Sequence, residues 1–239
     1  MASIVDDRGF NQGFEWSQAQ QVRIRRRASA IAQALAPGAT RVLEWGCGTG
    51  ELASFLAQSP RLRVTGVDLC GRFVEEAQRR FGHERLGFQQ ADLAREDALG
   101  DLGGAGAWEA VVGNGILHHL YYRIGPALRT MRSMLAPGGQ LVFWEPNLFN
   151  PYVFAIFTLK PLRRLTRLEP DEMAFPPAWI ERELLAAGFR DVHVAFRDFL
   201  LPNVPMGLVP AVTRVGDVLE RAPVVRRLAQ SLFITATRA

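Results

Sequence analysis

Three glycines at alternate positions, Gly46, Gly48 and Gly50, follow a short apolar segment and stand at the start of a predicted helix. Glycine tolerates a positive φ and leaves no Cβ between the backbone and a ligand. A molecule that lies across such a turn meets main-chain groups and the unpaired N–H groups of the first helical turn. The segment therefore predicts a binding site for a cofactor that carries a nucleoside.

The spacing of the glycines argues against a dinucleotide. A dinucleotide-binding turn has its third glycine five positions after the first, and that position here holds Glu51. An acid at the helix start disfavours a pyrophosphate and is compatible with a cationic ligand. With Glu44 the pattern is E-x-G-x-G-x-G, which resembles motif I of the class I S-adenosylmethionine-dependent methyltransferases. In that family the loop holds the amino-acid end of a cofactor whose sulfonium is positively charged.

Two further acids end predicted strands behind this turn, Asp68 and Asp92. An acid at the end of the second strand, about 20 residues past the loop, can hydrogen-bond ribose hydroxyls. In the resembled family the acid after the third strand contacts the adenine amino group. The resemblance thus implies S-adenosyl-L-methionine as cofactor and S-adenosyl-L-homocysteine as product. The candidate cofactor-binding residues are Glu44, Trp45, Gly46, Cys47, Gly48, Gly50, Asp68, Leu69, Phe73, Ala91, Asp92, Leu93, Asn114, Gly115 and Ile116.

Hydrophobic periodicity predicts strands and helices in alternation over most of the chain. Predicted strands lie at 41–45, 63–67, 86–91, 109–113, 140–145, 192–196 and 232–237, and predicted helices at 17–35 (with Ser17 as N-cap), 50–58, 71–81, 122–135, 177–187 and 209–230. Such alternation indicates a parallel sheet with helices on both faces. The resemblance implies the α/β, Rossmann-like doubly wound form, with seven mostly parallel strands and the last one antiparallel. The glycine-rich stretch 97–107 is predicted to be a surface loop.

A chain of 239 residues with 48% hydrophobic residues can bury one full core, which predicts a single domain over 1–239. The resemblance implies that it is a methyltransferase domain. Within it we distinguish an N-terminal lid and helix (1–36), a cofactor-binding half (37–147), a substrate-recognition insertion (148–176) and C-terminal strands and helices (177–239).

The histidines and the acid that follow the fourth and fifth strands are the candidate catalytic residues. In open α/β sheets ligands bind outside the carboxyl ends of the strands, where His118, His119 and Glu145 would meet the methyl group and the acceptor. A neutral imidazole near pH 7 can accept the proton that an acceptor must lose. We expect His119 first, then His118, as the base, and Glu145 as a base or substrate ligand. The alternative for all three is packing or hydrogen bonding within the loops.

The acceptor would be selected by the insertion after the fifth strand, as the resembled family implies. Residues 149–168 join an aromatic-rich apolar run to an alternating Arg/Leu run, a pattern similar to an interfacial amphipathic element. One interpretation is a lid over a hydrophobic or lipid-like acceptor, with peripheral membrane contact and with Phe10, Phe14 and Trp16 completing the lid. The other is a helix packed on the core with its arginines in solvent.

Two motifs that the sequence lacks limit the classes of methyl acceptor and of mechanism. Asn114-Gly115-Ile116-Leu117 stands where resembled enzymes that modify exocyclic amino groups carry an N-P-P-Y type loop, and no Asp/Asn cluster suggests magnesium. We therefore predict methylation of a small molecule, preferably at oxygen or carbon, without a metal.

Other functions stay open at this point. RNA methylation would require Arg25, Arg26 and Arg27 to join Arg163, Arg164 and Arg167 in one basic face, although a net charge of +4 is too small to argue for nucleic acid. A nicotinamide (NAD) oxidoreductase or a non-catalytic nucleoside-binding relative are further alternatives.

The cysteines and the hydropathy of the sequence bear on the cellular compartment in which the protein is expected. Cys47 and Cys70 lack metal-ligand spacing, which favours free thiols and a cytoplasmic location. The sequence contains no run of 18 apolar residues, so no membrane-spanning helix is expected. No signal peptide is expected either.

Overall fold

In this computed structural model, which describes residues 6, 17–92, 100, 102–166, 168–201 and 204–239, seven segments pair into one sheet. They are β1 (Arg41–Trp45), β2 (Arg63–Asp68), β3 (Leu86–Gln90), β4 (Trp108–Asn114), β5 (Leu135–Pro146), β6 (Phe189–Arg197) and β7 (Ser231–Arg238). Their order across the sheet is β3-β2-β1-β4-β5-β7-β6, and β7 runs antiparallel to β5 and to β6. The doubly wound, mostly parallel seven-stranded fold is confirmed.

Eight α-helices connect or flank these strands in the part of the chain that the structure describes. They are α1 (Gln18–Ala34), α2 (Glu51–Leu56), α3 (Gly71–Phe81), α4 (Ile124–Met134), α5 (Pro151–Thr158), α6 (Lys160–Leu165), α7 (Pro177–Ala186) and α8 (Val209–Leu219). Short 3₁₀ helices lie at Leu117–Arg123, Met206–Leu208 and Val225–Leu228. The Ser17 N-cap of α1 is confirmed: its hydroxyl accepts the N–H of Gln20, and the Gln20 side chain accepts the N–H of Ser17.

The sheet has a separate apolar layer on each face. Successive strand residues point to opposite faces, so Val42 packs in one layer with Ile31 of α1, whereas Leu43 packs in the other with Met131 of α4 and Leu184 of α7. Because both faces are covered, the polar groups at the carboxyl ends of the parallel strands are left at one open edge. The candidate site lies there.

Two parts of the predicted pattern differ from the structure. The helix predicted over 209–230 was wrong in its second half: α8 ends at Leu219, the chain turns through 220–224, and a 3₁₀ helix follows. Pro223 in that turn has no N–H to continue the helical ladder. The insertion lies in the gap between the strand predicted at 140–145 and the helix predicted at 177–187, and it contains the helices α5 and α6.

Several expectations fall outside the described residues. These are the lid residues Phe10, Phe14 and Trp16, the cofactor candidate Leu93, and residues 97–99 and 101 of the loop predicted over 97–107. Among the helices that the structure does describe, none combines the length and the apolar character needed to cross a membrane.

Candidate active site

The turn after β1 is held against the neighbouring strand by its own backbone. The N–H groups of Gly46 and Cys47 both donate to the carbonyl of Val67 in β2, at 2.8 and 2.9 Å. Gly46, Gly48 and Gly50 all have positive φ, at 71°, 51° and 88°. The sharp bend expected from the sequence is therefore present, and each glycine adopts a conformation that other residues rarely take.

The surroundings of the three glycines differ, and the difference fits a bound cofactor. A Cβ on Gly46 would lie 2.7 Å from the Ile116 side chain, and one on Gly50 would lie 2.8 Å from Phe88. A Cβ on Gly48 would meet no atom within 4 Å. Gly46 and Gly50 thus permit close packing, whereas Gly48 borders open space that a ligand can fill.

Asp68, at the end of β2, is tied to the same turn. Its Oδ2 accepts the N–H of Gly48 at 2.8 Å and its Oδ1 accepts the N–H of Cys70 at 2.9 Å. Burial raises the pKa of this carboxyl, and the two backbone hydrogen bonds oppose the rise. Each oxygen keeps further acceptor capacity, so Asp68 fits the role of partner to ribose hydroxyls.

Glu44 is a buried acid directly before the turn. Its Oε2 has no hydrogen-bond partner among the described residues. Burial, with the nearby charge of Glu51, raises the pKa of Glu44 well above its usual value. A buried polar atom without a partner is costly, and a donor group at the amino-acid end of S-adenosylmethionine would satisfy it.

Glu51, at the start of α2, is paired within the protein. Its carboxylate accepts hydrogen bonds from the hydroxyl of Thr49 at 2.6 Å and from Arg80 of α3 at 2.9 Å. The acid at this helix start is therefore paired with an arginine of the protein, and its compatibility with a cationic ligand adds nothing to the cofactor assignment. The glycine spacing and the other acids carry the cofactor assignment without it.

The remaining cofactor candidates surround the turn to different degrees. Trp45 packs its side chain into the core, so it can offer the ligand only its backbone. Leu69 and Asp92 are exposed, Phe73 is buried, and the N–H of Ala91 donates to the carbonyl of Asp68.

The loop after β4 joins the cofactor turn to the two histidines. Asn114 accepts a hydrogen bond from Arg27, Gly115 has a φ of 72°, and Ile116 packs its side chain against Gly46. His118 and His119 follow two and three residues later, in the 3₁₀ helix Leu117–Arg123. The histidines are thus held next to the cofactor turn, as the sequence predicted.

Glu145, at the end of β5, organises this loop. Its Oε1 accepts the N–H groups of Ile116 and Leu117, and its Oε2 accepts the N–H of His118 at 3.2 Å. The same Oε2 lies 2.8 Å from Nδ1 of His118. A carboxylate with this many partners is suited to fixing the loop.

His118 lies between two buried carboxylates. Its Nδ1 faces Glu145, and its Nε2 lies 3.0 Å from Oε1 of Glu172 in the insertion. Burial alone would lower the pKa of His118, but the hydrogen bonds to Glu145 and Glu172 outweigh it and raise the pKa to about 9. The ring is therefore a cation at neutral pH that donates from both nitrogens, and such a ring cannot accept a proton.

His119 has a different environment. Its side chain is 19% exposed, against 8% for His118. Its Nδ1 lies 3.9 Å from Oε1 of Glu169 and its Nε2 lies 3.8 Å from Oε1 of Glu172. Because part of the side chain is exposed, an acceptor molecule can reach the imidazole.

Sequence reasoning missed the two acids that face these histidines. Glu169 and Glu172 are buried, and they come from the insertion. Arg163 holds this stretch in place by donating to the carbonyls of Phe157, Glu169, Pro170 and Glu172. The E-P-D-E sequence at 169–172 was the available signal. His118, His119 and Glu172 also bring one ligand atom each within 4.8 Å of one another, but a His118 ring that donates from both nitrogens has no lone pair to offer a metal ion.

A second buried polar group, also missed, ties α1 to the open edge of the sheet. Arg27 donates to Asp198 at 2.7 Å and to Asn114 at 2.6 Å, and Arg23 donates to Asp198 at 2.6 Å. Burial would raise the pKa of Asp198, but the two arginines outweigh it and lower the pKa to about 2. Burial, with the charge of Arg23, lowers the pKa of Arg27 to about 10. This group fixes Asn114 from the side of α1.

Known proteins match this chain over the same region. A family model described as a methyltransferase domain matches residues 43–141. The ubiquinone/menaquinone biosynthesis C-methyltransferase UbiE of Desulfotalea psychrophila is 29% identical over 197 residues, which are 75% of this chain and 77% of that protein. An uncharacterized methyltransferase of Mycobacterium tuberculosis is 35% identical over 125 residues, 51% of this chain and 60% of that protein.

Solved structures agree on the fold. A SAM-dependent methyltransferase from Archaeoglobus fulgidus superposes with a TM-score of 0.64 at 18% identity, covering 91% of this chain and 94% of that one. With the sheet order and the glycine turn, the family-model match and the two relatives support a class I S-adenosylmethionine-dependent methyltransferase, and the solved structures support its fold. One solved structure of this fold, phosphoethanolamine N-methyltransferase 2 of Haemonchus contortus, is in complex with S-adenosyl-L-methionine; it superposes with a TM-score of 0.61 at 16% identity, covering 92% of this chain and 52% of that one.

Proposed function

We propose that this enzyme methylates a small, hydrophobic or lipid-like acceptor at oxygen or carbon, with His119 as the general base. The observation that carries the proposal is the partly exposed ring of His119, which lies one residue from His118 and faces two buried carboxylates of the insertion. When bound, S-adenosylmethionine supplies an electrophilic methyl group on a positively charged sulfur.

The cofactor would be held by the turn and the acids around it. Gly48 leaves the space, Asp68 accepts from the ribose, and Glu44 offers an unpaired oxygen to the amino-acid end. Methyl transfer is an in-line displacement that develops no oxyanion, so the chain contributes mainly alignment and exclusion of water.

His119 would take the proton that the acceptor loses. A hydroxyl or an acidic carbon placed against its ring gives up a proton to a ring nitrogen, and Glu169 and Glu172 stabilise the imidazolium that forms. His118 and Glu145 have a positioning role in this proposal, because the cationic ring and the carboxylate hold the loop that carries His119.

The acceptor class is inferred from the insertion. Val153, Phe157 and Ala174 form a small apolar cluster beside the histidines, and the ring of Phe157 meets that of His118 edge-on at 5.7 Å. An apolar wall suits a hydrophobic acceptor, and the name of the related UbiE, a C-methyltransferase of ubiquinone and menaquinone biosynthesis, is consistent with one. The unpaired thiols of Cys47 and Cys70 favour a cytoplasmic setting.

The RNA alternative has less support. Arg27 is buried in its ion pair with Asp198, Arg26 is paired with Asp217, and Arg163 donates to backbone carbonyls of the insertion. Arginines engaged in this way contribute little to a basic face for phosphates.

The test is methyl transfer from deuterated S-adenosylmethionine to a panel of quinols, phenols and isoprenoid lipids, read by mass spectrometry. His119→Gln should lose turnover while calorimetry shows unchanged binding of S-adenosylhomocysteine. His193→Gln, at an exposed histidine of β6, is the matched control and should keep both. Equal loss of turnover and cofactor affinity in His119→Gln would make this histidine structural, and transfer to RNA alone would replace the acceptor class.

A further inference from the structure

Two segments of this chain carry basic residues and no acidic ones. Residues 146–168 contain Lys160, Arg163, Arg164 and Arg167, and residues 221–239 contain Arg221, Arg226, Arg227 and Arg238, with no Asp or Glu in either range. The chain as a whole has 28 basic and 24 acidic residues. The excess of positive charge in these two segments is therefore a local feature that the nearly balanced charge of the whole chain does not explain.

Large apolar side chains are exposed in the same two segments. They are Phe149, Tyr152, Phe154, Leu159 and Leu165 in the first, and Val224, Val225 and Leu228 in the second. Leu165 and Val224 are 78% and 79% exposed. We call these residues, with Lys160, Arg164, Arg226 and Arg227, the basic apolar face.

Hydrogen bonds join the two segments, although they are far apart in sequence. The buried side chain of Asn147 donates to the carbonyls of Arg227 and Ala229, at 2.9 and 2.7 Å. Asn150 donates to the carbonyl of Leu228 at 2.7 Å. The two segments therefore lie side by side where residues 147–150 meet residues 227–229.

Helix α5, which carries part of this face, also reaches the candidate active site. Val153 and Phe157 of α5 are buried one turn apart, and Phe157 packs on His118. Tyr152 and Phe154 of the same helix are exposed. The alternative in which the insertion leaves only its arginines in solvent does not account for these half-exposed aromatic rings.

We propose that the basic apolar face docks the enzyme on an anionic lipid bilayer. Aromatic and aliphatic side chains enter the interface, while the lysine and arginines meet anionic headgroups. The proposal rests on the proposed function for its purpose, because a bilayer is where a hydrophobic acceptor dissolves. The docking helix is the one that packs against His118, so docking brings the acceptor site to the lipid.

Charge complementarity favours a membrane over the other occupants. Membrane-bound amphipathic elements combine apolar groups with basic residues, and anionic headgroups attract each lysine or arginine by about 1 kcal/mol. A second copy of this chain would bring like charges together, since neither segment offers an acid to pair with them.

The experiment is co-sedimentation of the full chain with phosphatidylcholine vesicles, with and without phosphatidylglycerol. We expect binding only with the anionic lipid, weakening as salt is raised. Arg164→Gln with Arg227→Gln should reduce the partition coefficient by roughly fivefold for each charge removed. Phe154→Ser with Leu165→Ser should reduce it further.

Leu185→Ser with Arg182→Gln on α7 is the matched control, because Leu185 and the Arg182 side chain are exposed outside this face. The control should bind vesicles as the parent does. The proposal is overturned if the parent does not bind anionic vesicles, if the face variants bind as well as the parent, or if the control loses binding equally. A dimer in ultracentrifugation that the face variants dissociate would make the face a self-association surface instead.

Two further measurements separate this inference from the proposed function. The face variants should keep the thermal midpoint and the calorimetric affinity for S-adenosylhomocysteine, which shows that they are folded. Vesicle binding without methyl transfer to any hydrophobic acceptor would leave docking in place and refute the proposed acceptor. Methyl transfer to a hydrophobic acceptor in micelles, without any vesicle binding, would support the proposed acceptor and refute docking.

Discussion

Raising the pH should destabilise this enzyme through one buried group, His118. In the folded chain its pKa is raised to about 9 from an ordinary value of 6.5. A pKa that folding raises contributes stability that is fully present below the unfolded value and lost as the pH rises through the folded one. The window for this loss therefore runs from about pH 6.5 to about pH 9.

The size of the effect follows from the two pKa values. Their difference corresponds to roughly 3 kcal/mol of unfolding free energy, at about 1.4 kcal/mol per tenfold change in proton affinity. Glu172→Gln removes one of the two carboxylates that hold the imidazolium. In that variant burial is opposed only by Glu145, so the pKa of His118 should fall well below that of the parent.

Nuclear magnetic resonance can follow the ring directly, because the chain has only four histidines. The resonance that disappears in His118→Gln should titrate near pH 9 in the parent and lower in Glu172→Gln. Urea unfolding on either side of the window should show a loss of stability in the parent that His118→Gln lacks. A His118 resonance with an ordinary midpoint, or the same pH dependence in parent and His118→Gln, would refute the reasoning.

Three other perturbations have defined outcomes. Gly48→Ala should cost about 1 kcal/mol because alanine resists a positive φ, and its methyl should also weaken calorimetric binding of S-adenosylhomocysteine by entering the open space; unchanged affinity would remove Gly48 from the cofactor site. Arg27→Ala should lower the unfolding free energy by roughly 3–5 kcal/mol by leaving buried Asp198 short of one partner, whereas Arg26→Ala at a half-exposed ion pair should cost less than about 1 kcal/mol; similar urea midpoints for the two variants would contradict the ranking. Chelation with EDTA should leave methyl transfer unchanged, and activity restored only by a divalent metal would make His118, His119 and Glu172 a metal centre.

Much of the fold could be predicted because its signals are local. The bend at Gly46–Gly50, the acid that ends β2 and the alternating strands and helices each depend on a few consecutive residues. The parallel arrangement then brings the loops after β1, β2 and β4 to one edge. For this reason the sequence alone predicts that Asp68 and the histidines lie near the cofactor turn.

The acids opposite the histidines could not be found in this way. Glu172 is 54 residues from His118, in a segment whose periodicity predicts no element. In the sequence Arg27 is the last of three consecutive arginines, and nothing local distinguishes it from the other two. In the structure it is buried against Asp198, which lies 171 residues away. Such pairings depend on tertiary packing, which overrides local pattern. The pairing of Glu51 with Arg80 could not be predicted for the same reason, since Arg80 lies on another helix.

The position of β7 has a consequence for how the chain acquires its structure. This strand lies between β5 and β6 and pairs with both. Until residues 231–238 have been synthesised, β6 has no neighbour to join, and β5 presents an unpaired edge. We expect nascent chains that stop short of these residues to expose two strand edges, and edges of that kind recruit other chains into aggregates.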